Sequence, residues 1–432
     1  MHARSVGVNT FEAIIVDACL HDRAFDPQCE GDRSGWLMNL VAASGSEARI
    51  VNELMPQFDA PTDEFWDATQ RCQIARELAQ RGYPGARSRL YACFRKWPDT
   101  ANVIGAEDIV ALDGADGLLH VAQHFGTLLQ QERGFWVDDG PIRSFDERQG
   151  SGSGRRILER AAEHSTSVAA YLGRLDERDR EKRSSSNTTE QSNGHPNIAN
   201  VKFDAAGPRS HIERMQEISA AEVIRQIETE DPQQIRFWFV GWGRHAAPGG
   251  LAMVFEAMTR QSEPGRLCKY LRVFSRRALP AFDTRLLEYA GHANADVRRL
   301  AHKAMSNYAH PGVRRLAIER LRAGLFCEGE LGLLKSTYQS GDAALIEQVL
   351  RVPKDRDQLH GLAYGLIELF ETNTDPESAS LMLFVYEETP CSNCRARAVE
   401  ILASTGQLPG WLIEECRDDC SEEIRLIAKN SG

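Results

Sequence analysis

Residues 292–321 read HANADVRRLAHKAMSNYAHPGVRRLAIERL and hold one short phrase twice. A turn-forming lead-in is followed by an apolar residue, Arg, two spacers and Ala: Val297-Arg298…Ala301, then Val313-Arg314…Ala317. Val297, Leu300, Ala301 and Ala304 recur at helical spacing and line one face, while Arg298, Arg299 and Lys303 fall outside it. Asp296 opens the first helix, where a carboxylate suits the positive end of the helix dipole. Pro311-Gly312 opens the second, because a proline in the first turn lacks only an N–H that would have no helical partner there. Val313, Leu316, Ala317, Ile318 and Leu321 form its stripe. Neither short helix can bury its stripe alone, so each requires a stacked neighbour.

The phrase recurs along the chain. Ile235-Arg236 follows Asp231-Pro232, Cys394-Arg395 follows Pro390 and leads to Ala398, and Ile424-Arg425 leads to Ala428. The gaps between the apolar positions Ile235, Val297, Cys394 and Ile424 are close to two, three and one times a common period. That period is about 31 residues, a length in the range of two-helix repeats. Val313 falls about midway between repeats, as a partner helix would. On these residues the chain from about Ile212 to Lys429 resembles the HEAT-repeat family of α-solenoids, clearly at 297–321 and weakly between Phe326 and Leu383. The resemblance implies stacked helix pairs whose long surface binds a partner.

The chain has 432 residues, an apolar content of 42% and a net charge of −11. That length accommodates two domains. Ten cysteines scattered over it do not form a secreted disulfide framework. The N-terminal residues lack the apolar core of a signal peptide, and no run of 18 apolar residues predicts a membrane span. The expectation is a cytoplasmic protein without membrane contact. Charge is unevenly spread. Residues 260–322 hold 14 Lys or Arg against 5 Asp or Glu, whereas residues 325–432 hold 9 against 19. A basic island precedes an acidic stretch.

The N-terminal part reads as further helices, among them 11–20, a pair at 36–43 and 47–58, 63–81, 118–131, and 155–179 in two pieces. Residues 184–210 are rich in Ser, Asn and Gly and predict a flexible linker. Beyond them Ser219 and Glu222 form a capping box. No stretch alternates as a half-buried strand does. The expected architecture is all-α: an N-terminal helical domain over 1–183, the linker over 184–210, and a HEAT-like solenoid over 211–432.

Six features are candidates for chemistry or binding. The first is a pair of motifs, Cys391-x2-Cys394 and Cys416-x3-Cys420, since four thiolates so arranged can hold a structural zinc. Against this, Cys394 fills the slot of Val297, and buried cysteine behaves as a small hydrophobe. Lys269, Arg272, Arg276 and Arg277 share a predicted helix, and Arg299 and Arg315 add to the basic island. Arg298 and Arg314, at the repeat position, are expected to pair with carboxylates of neighbouring repeats. The island suits an acidic protein partner or phosphates. Phe237, Trp238, Phe239 and Trp242 form an aromatic run beside Asp231. One HEAT-like branch comprises alkylpurine DNA glycosylases, and the resemblance implies for them tryptophans and an aspartate on a basic concave face. Here no aspartate lies within the tryptophan helix, and aromatics at this spacing usually build core. His120 and His124 are one helical turn apart but lack the Glu of a zincin motif. Residues 150–156 (GSGSGRR) make a glycine-rich turn at a helix start, without the Lys-Ser/Thr of a P-loop. Residues 136–140 (WVDDG), near Asp146 and Glu147, form an acidic turn. No catalytic constellation follows from spacing. The expected role is a non-enzymatic scaffold or adaptor that binds a partner protein, with nucleic-acid binding and glycosylase-like chemistry as the alternative.

Overall fold

A computed structural model of the chain describes residues 11–60, 62–96, 104–132, 135–188, 211–326 and 329–431. Among these residues the chain is all-α, with 24 α-helices, short 3-10 turns and no strand. Among the described residues no helix is long and apolar enough to cross a membrane. The chain divides into two compact units, Met1–Phe203 and Asp204–Gly432. The linker expected over 184–210 lies outside the described residues from 189 onward, and 184–188 continue the last helix of the first unit.

The first unit comprises α1 (Glu12–Leu20), α2 (Pro27–Glu30), α3 (Ser34–Ala43), α4 (Glu47–Gln57) and α5 (Phe65–Gln80). It continues with α6 (Ala86–Lys96), α7 (Ala106–Gln131), α8 (Gly140–Gln149), α9 (Ser153–Ala162) and α10 (Thr166–Thr188). The long α7 is central and packs against α5, α6, α8, α9 and α10. It bends at Gly114, whose φ of 57° and ψ of −125° interrupt the helix. Its second half approaches α10 closely, since a Cβ on Gly126 would lie 1.7 Å from the carbonyl oxygen of Ser167.

The second unit begins with α11 (His211–Glu217), α12 (Ala220–Thr229), α13 (Trp238–His245), α14 (Pro248–Thr259) and α15 (Pro264–Val273). Next come α16 (Arg285–Ala290), α17 (Ala295–Met305), α18 (Pro311–Arg322) and a 3-10 turn, Leu331–Leu334. The unit closes with α19 (Asp342–Val349), α20 (Arg356–Thr372), α21 (Ala379–Glu388), α22 (Ser392–Ser404), α23 (Gly410–Cys416) and α24 (Glu422–Ser431). One row of packing runs α13, α15, α17, the 3-10 turn, α20, α22, α24, each element against the next in that order. In the other row α12 packs on α14, α18 on α19, and α19 on α21. The Tyr289 hydroxyl donates to the carbonyl oxygen of Met258 at 3.2 Å and ties α16 to α14.

The phrase at 297–321 folds as its spacing predicts. Val297, Leu300, Ala301 and Ala304 are buried, as are Val313, Ala317 and Leu321. Leu316 and Ile318 are only half-buried, at the edge of the second stripe. The cap of α17 is Asn294, which accepts from the N–H groups of Asp296 (2.9 Å) and Val297 (3.2 Å) and satisfies two of the helix's unpaired donors. His310 Nδ1 plays the same part for α18, accepting from Gly312 N at 3.0 Å. The expected capping box is present on one side: Ser219 Oγ accepts from Glu222 N at 3.2 Å. Ile235 departs from the pattern. It precedes α13 in a non-helical stretch and is 62% exposed, so it does not fill the slot that Val297 fills.

A candidate partner-binding surface

The basic island does not assemble as its sequence suggests. Lys269 does not belong to it: on the buried side of α15 it is only 2% exposed. Its ammonium donates to the Asp231 carbonyl oxygen at 2.7 Å and lies 3.3 Å from the Glu230 carboxylate. It holds the segment after α12 against α15, because a buried ammonium is tolerated only with such partners. Arg276 and Arg277 are not on the helix, which ends at Val273; they stand exposed in the turn that follows. Neither has a carboxylate partner among the described residues, and neither does the exposed Arg315. Arg315 lies on α18, in the other row of helices.

Burial pushes the thiol of Cys268 on α15 up to about 11, and the charges of Arg272 and Arg299 oppose that rise. Arg299 also pairs with Asp296 at 2.8 Å, an exposed bridge of small energetic worth. The Arg272 guanidinium lies 5.4 Å from the centre of the Phe237 ring, and Phe237 is 73% exposed. Phe237 before α13, Arg272 on α15 and Arg299 on α17 therefore mark three successive elements of one row.

The arginines of the repeat phrase serve the fold. Arg314 grips Asp342 with both terminal nitrogens, at 2.6 and 2.8 Å, and bonds the Thr337 carbonyl oxygen at 2.9 Å. The expected carboxylate partner of Arg314 is thus on the next helix, α19. Arg298 donates to the carbonyl oxygens of His292 (2.7 Å) and Ala293 (3.0 Å), and Arg425 makes the equivalent bonds to Asp419 and Cys420 at 2.6 and 3.0 Å. An arginine that reaches back in this way satisfies carbonyl groups of the preceding turn.

The aromatic run divides. Trp242 is buried and its indole N–H donates to the Ile218 carbonyl oxygen at 2.8 Å; Phe239 is buried beside a half-buried Trp238. Asp231 caps its own turn through Gln233 N at 2.9 Å. Trp242 therefore builds core and offers no face to a base.

The four cysteines do not gather into one group. Cys416 is buried in α23, where burial pushes its thiol up to about 11. Cys420 lies 3.6 Å from Arg395 Nη2. Cys391 and Cys394 are grouped instead with His360 of α20, all three donor atoms lying within 4.8 Å of one another. Sequence reasoning missed His360; the signal that could have found it is its position about one repeat length before Cys391.

In the first unit, His120 and His124 pack against aromatic rings, at 4.7 Å from Tyr91 and 4.8 Å from Phe94. Burial lowers the pKa of both. The glycine-rich turn at 150–154 is occupied by the chain's own anion. Asp146 accepts from the N–H groups of Gly152 (2.7 Å) and Gly154 (2.8 Å) at the start of α9. The acidic turn at 136–140 is likewise engaged, with the Tyr171 hydroxyl donating to the Asp138 carbonyl oxygen at 2.7 Å.

No family model matches the chain, and neither a curated protein nor a solved structure is significantly similar to it.

Proposed function

We propose that the second unit is a HEAT-like solenoid acting as a scaffold or adaptor, and that it grips an acidic partner protein with Phe237, Arg272, Arg276, Arg277 and Arg299. The observation that carries this reading is the Phe237 ring, 73% exposed and flanked by the Arg272 guanidinium. An aromatic side chain supplies rigid apolar area, and an arginine beside it keeps donors for a carboxylate; both residue types are enriched at protein interfaces. The exposed Arg276 and Arg277 add charge with no carboxylate partner of their own among the described residues. The order of packing along each row, one element against the next, supports the solenoid reading.

Capture of partners from native lysate by the full chain, with and without nuclease, tests the proposal. A protein retained after nuclease treatment should be lost in Phe237→Ala and in the triple charge reversal of Arg272, Arg276 and Arg277 to Glu. Each should weaken binding at least about tenfold, the scale of one hot-spot residue. Unchanged capture by both variants overturns the proposal. The exposed Arg276, Arg277 and Arg315 also suit nucleic acid, the second reading. Binding that vanishes with nuclease and falls steeply with salt would favour it.

A further inference from the structure

We propose that His360, Cys391 and Cys394 form a zinc site that clips α20 to α22. The imidazole and the two thiols have donor atoms within 4.8 Å of one another. Zinc–sulfur and zinc–nitrogen bonds of about 2.3 and 2.0 Å place tetrahedral ligand atoms roughly 3.5–3.8 Å apart. The three groups therefore reach that geometry by shifts of about 1 Å or less, within the range of side-chain rotation. Cys391 immediately precedes α22 and Cys394 lies in its first turn, so the C-x2-C spacing directs both sulfurs to one side of the helix start. His360 approaches from α20, the preceding element of the same row.

The donor set suits the metal and the location. Two thiolates and a neutral imidazole cancel the charge of a divalent ion, which a buried site demands, since both cysteines are buried. Soft sulfur with imidazole selects zinc over the hard cations. On binding, each thiol releases its proton to solvent, so one ion replaces two protons. Three protein ligands leave a fourth corner for water, reached from the side of His360, the half-exposed member of the set. The site is a mechanical one. It joins α20 to α22, which also meet through the Arg397–Glu371 ion pair at 2.7 Å. It is independent of the surface around Phe237.

The test uses the full chain, reduced and stripped of metal, with one equivalent of zinc chloride followed by desalting. Wild type should retain about one zinc per chain, whereas His360→Ala, Cys391→Ser and Cys394→Ser should lose it. Cys416→Ser and Cys420→Ser should keep it. Because a serine in a buried position can harm folding, two measurements use wild type alone. Cobalt substitution should give the intense sulfur-to-cobalt charge-transfer bands of thiolate ligation. Zinc should also protect Cys391 and Cys394, but not the exposed Cys29, from alkylation read by mass spectrometry. Failure of reduced wild type to hold zinc overturns the proposal. So does retention by all three ligand variants, or loss in Cys416→Ser with retention in His360→Ala. A reduced chain that forms a Cys391–Cys394 disulfide on air exposure and never takes the metal overturns it in favour of a redox pair.

Discussion

Asp108, in the first turn of α7, is a buried carboxylate held by an arginine that it shares. Arg76 donates to Asp108 Oδ1 at 2.7 Å, to Asp32 Oδ2 at 2.8 Å and to Ser34 Oγ at 3.0 Å. Burial outweighs the guanidinium and pushes the Asp108 carboxyl up to about 6. A carboxyl whose folded pKa exceeds its unfolded value binds its proton more tightly in the native state. Its stabilising contribution is therefore full below about pH 4 and disappears as pH rises through 6. Between pH 7.5 and 5 the gain amounts to about 1–2 kcal/mol, from the linkage of a two-unit shift. Asp108→Asn has no proton to exchange. Urea denaturation at both pH values should show wild type gaining on the variant as the pH falls. A difference that stays constant, or moves the other way, refutes the assignment. None of this is visible in the sequence, where Asp108 is one acid in a helical stretch; its burial depends on α3 and α5, which are distant along the chain. Lys269 is the same lesson in a cation: adjacency to other basic residues suggests a surface, while the fold aims its side chain at Glu230 and Asp231.

At the scale of elements, α13 and α15 touch backbone to backbone. A Cβ on Gly243 would lie 1.9 Å from the carbonyl oxygen of Val273. Gly243→Ala should therefore push the helices apart and destabilise the second unit by about 1–3 kcal/mol, the usual cost of overpacking. Gly249→Ala in the first turn of α14 meets nothing within 4 Å. It should be neutral or stabilise by up to about 1 kcal/mol. Thermal melts of the two variants compare them directly, and equal melting temperatures would deny the close approach. Because Phe237 and Arg272 face each other across this seam, Gly243→Ala should also weaken partner capture. The elements themselves are largely legible in the sequence. The spacing of Ile235, Val297, Cys394 and Ile424, near two, three and one repeat lengths, matches the steps along the row from α13 to α17, α22 and α24. The phrase fades after Phe326, where the row is carried first by the 3-10 turn Leu331–Leu334, too short to need a helical stripe, and then by α20, whose buried stripe (Leu362, Leu366, Ile367, Phe370) has no arginine at the phrase position. Ile235 shows the reverse failure. It carries the phrase, but Asp231–Phe237 is not helical, so the match in letters has no buried face behind it. The exposed Phe237 is illegible for the same reason, since spacing assigns it to a helix that begins one position later.

At the scale of the whole second unit, stability depends on how each element is coupled to the next. The 3-10 turn is the shortest link of the row; its Leu331, Leu333 and Leu334 are buried, and a polar group beside it adds a further tie. Glu330 is buried, and Arg320 donates to its Oε1 through Nε at 3.1 Å and Nη2 at 2.8 Å. His302 of α17, fully buried, stands 4.0 Å from the same oxygen. Three consecutive elements of the stack thus converge on one carboxylate. Removing it leaves the Arg320 charge partly buried and unpaired, which costs about 3 kcal/mol. If the unit is the stack of elements proposed above, such a loss is not shared evenly; it lowers the coupling between the parts on either side. Glu330→Ala should therefore do more than lower the melting temperature. Hydrogen exchange should quicken most in α19–α24, which keep the Arg314–Asp342 contact of α18 with α19 as a second tie to the rest, while α12–α15 keep most of their protection. A uniform rise in exchange across the unit would mean that it unfolds as one cooperative block, and the one-dimensional account of its stability would fail. If the protection does divide at Glu330, the acidic stretch of residues 325–432 becomes a separately stable segment from the basic one before it, and the zinc clip proposed between α20 and α22 acts within the part that most needs it.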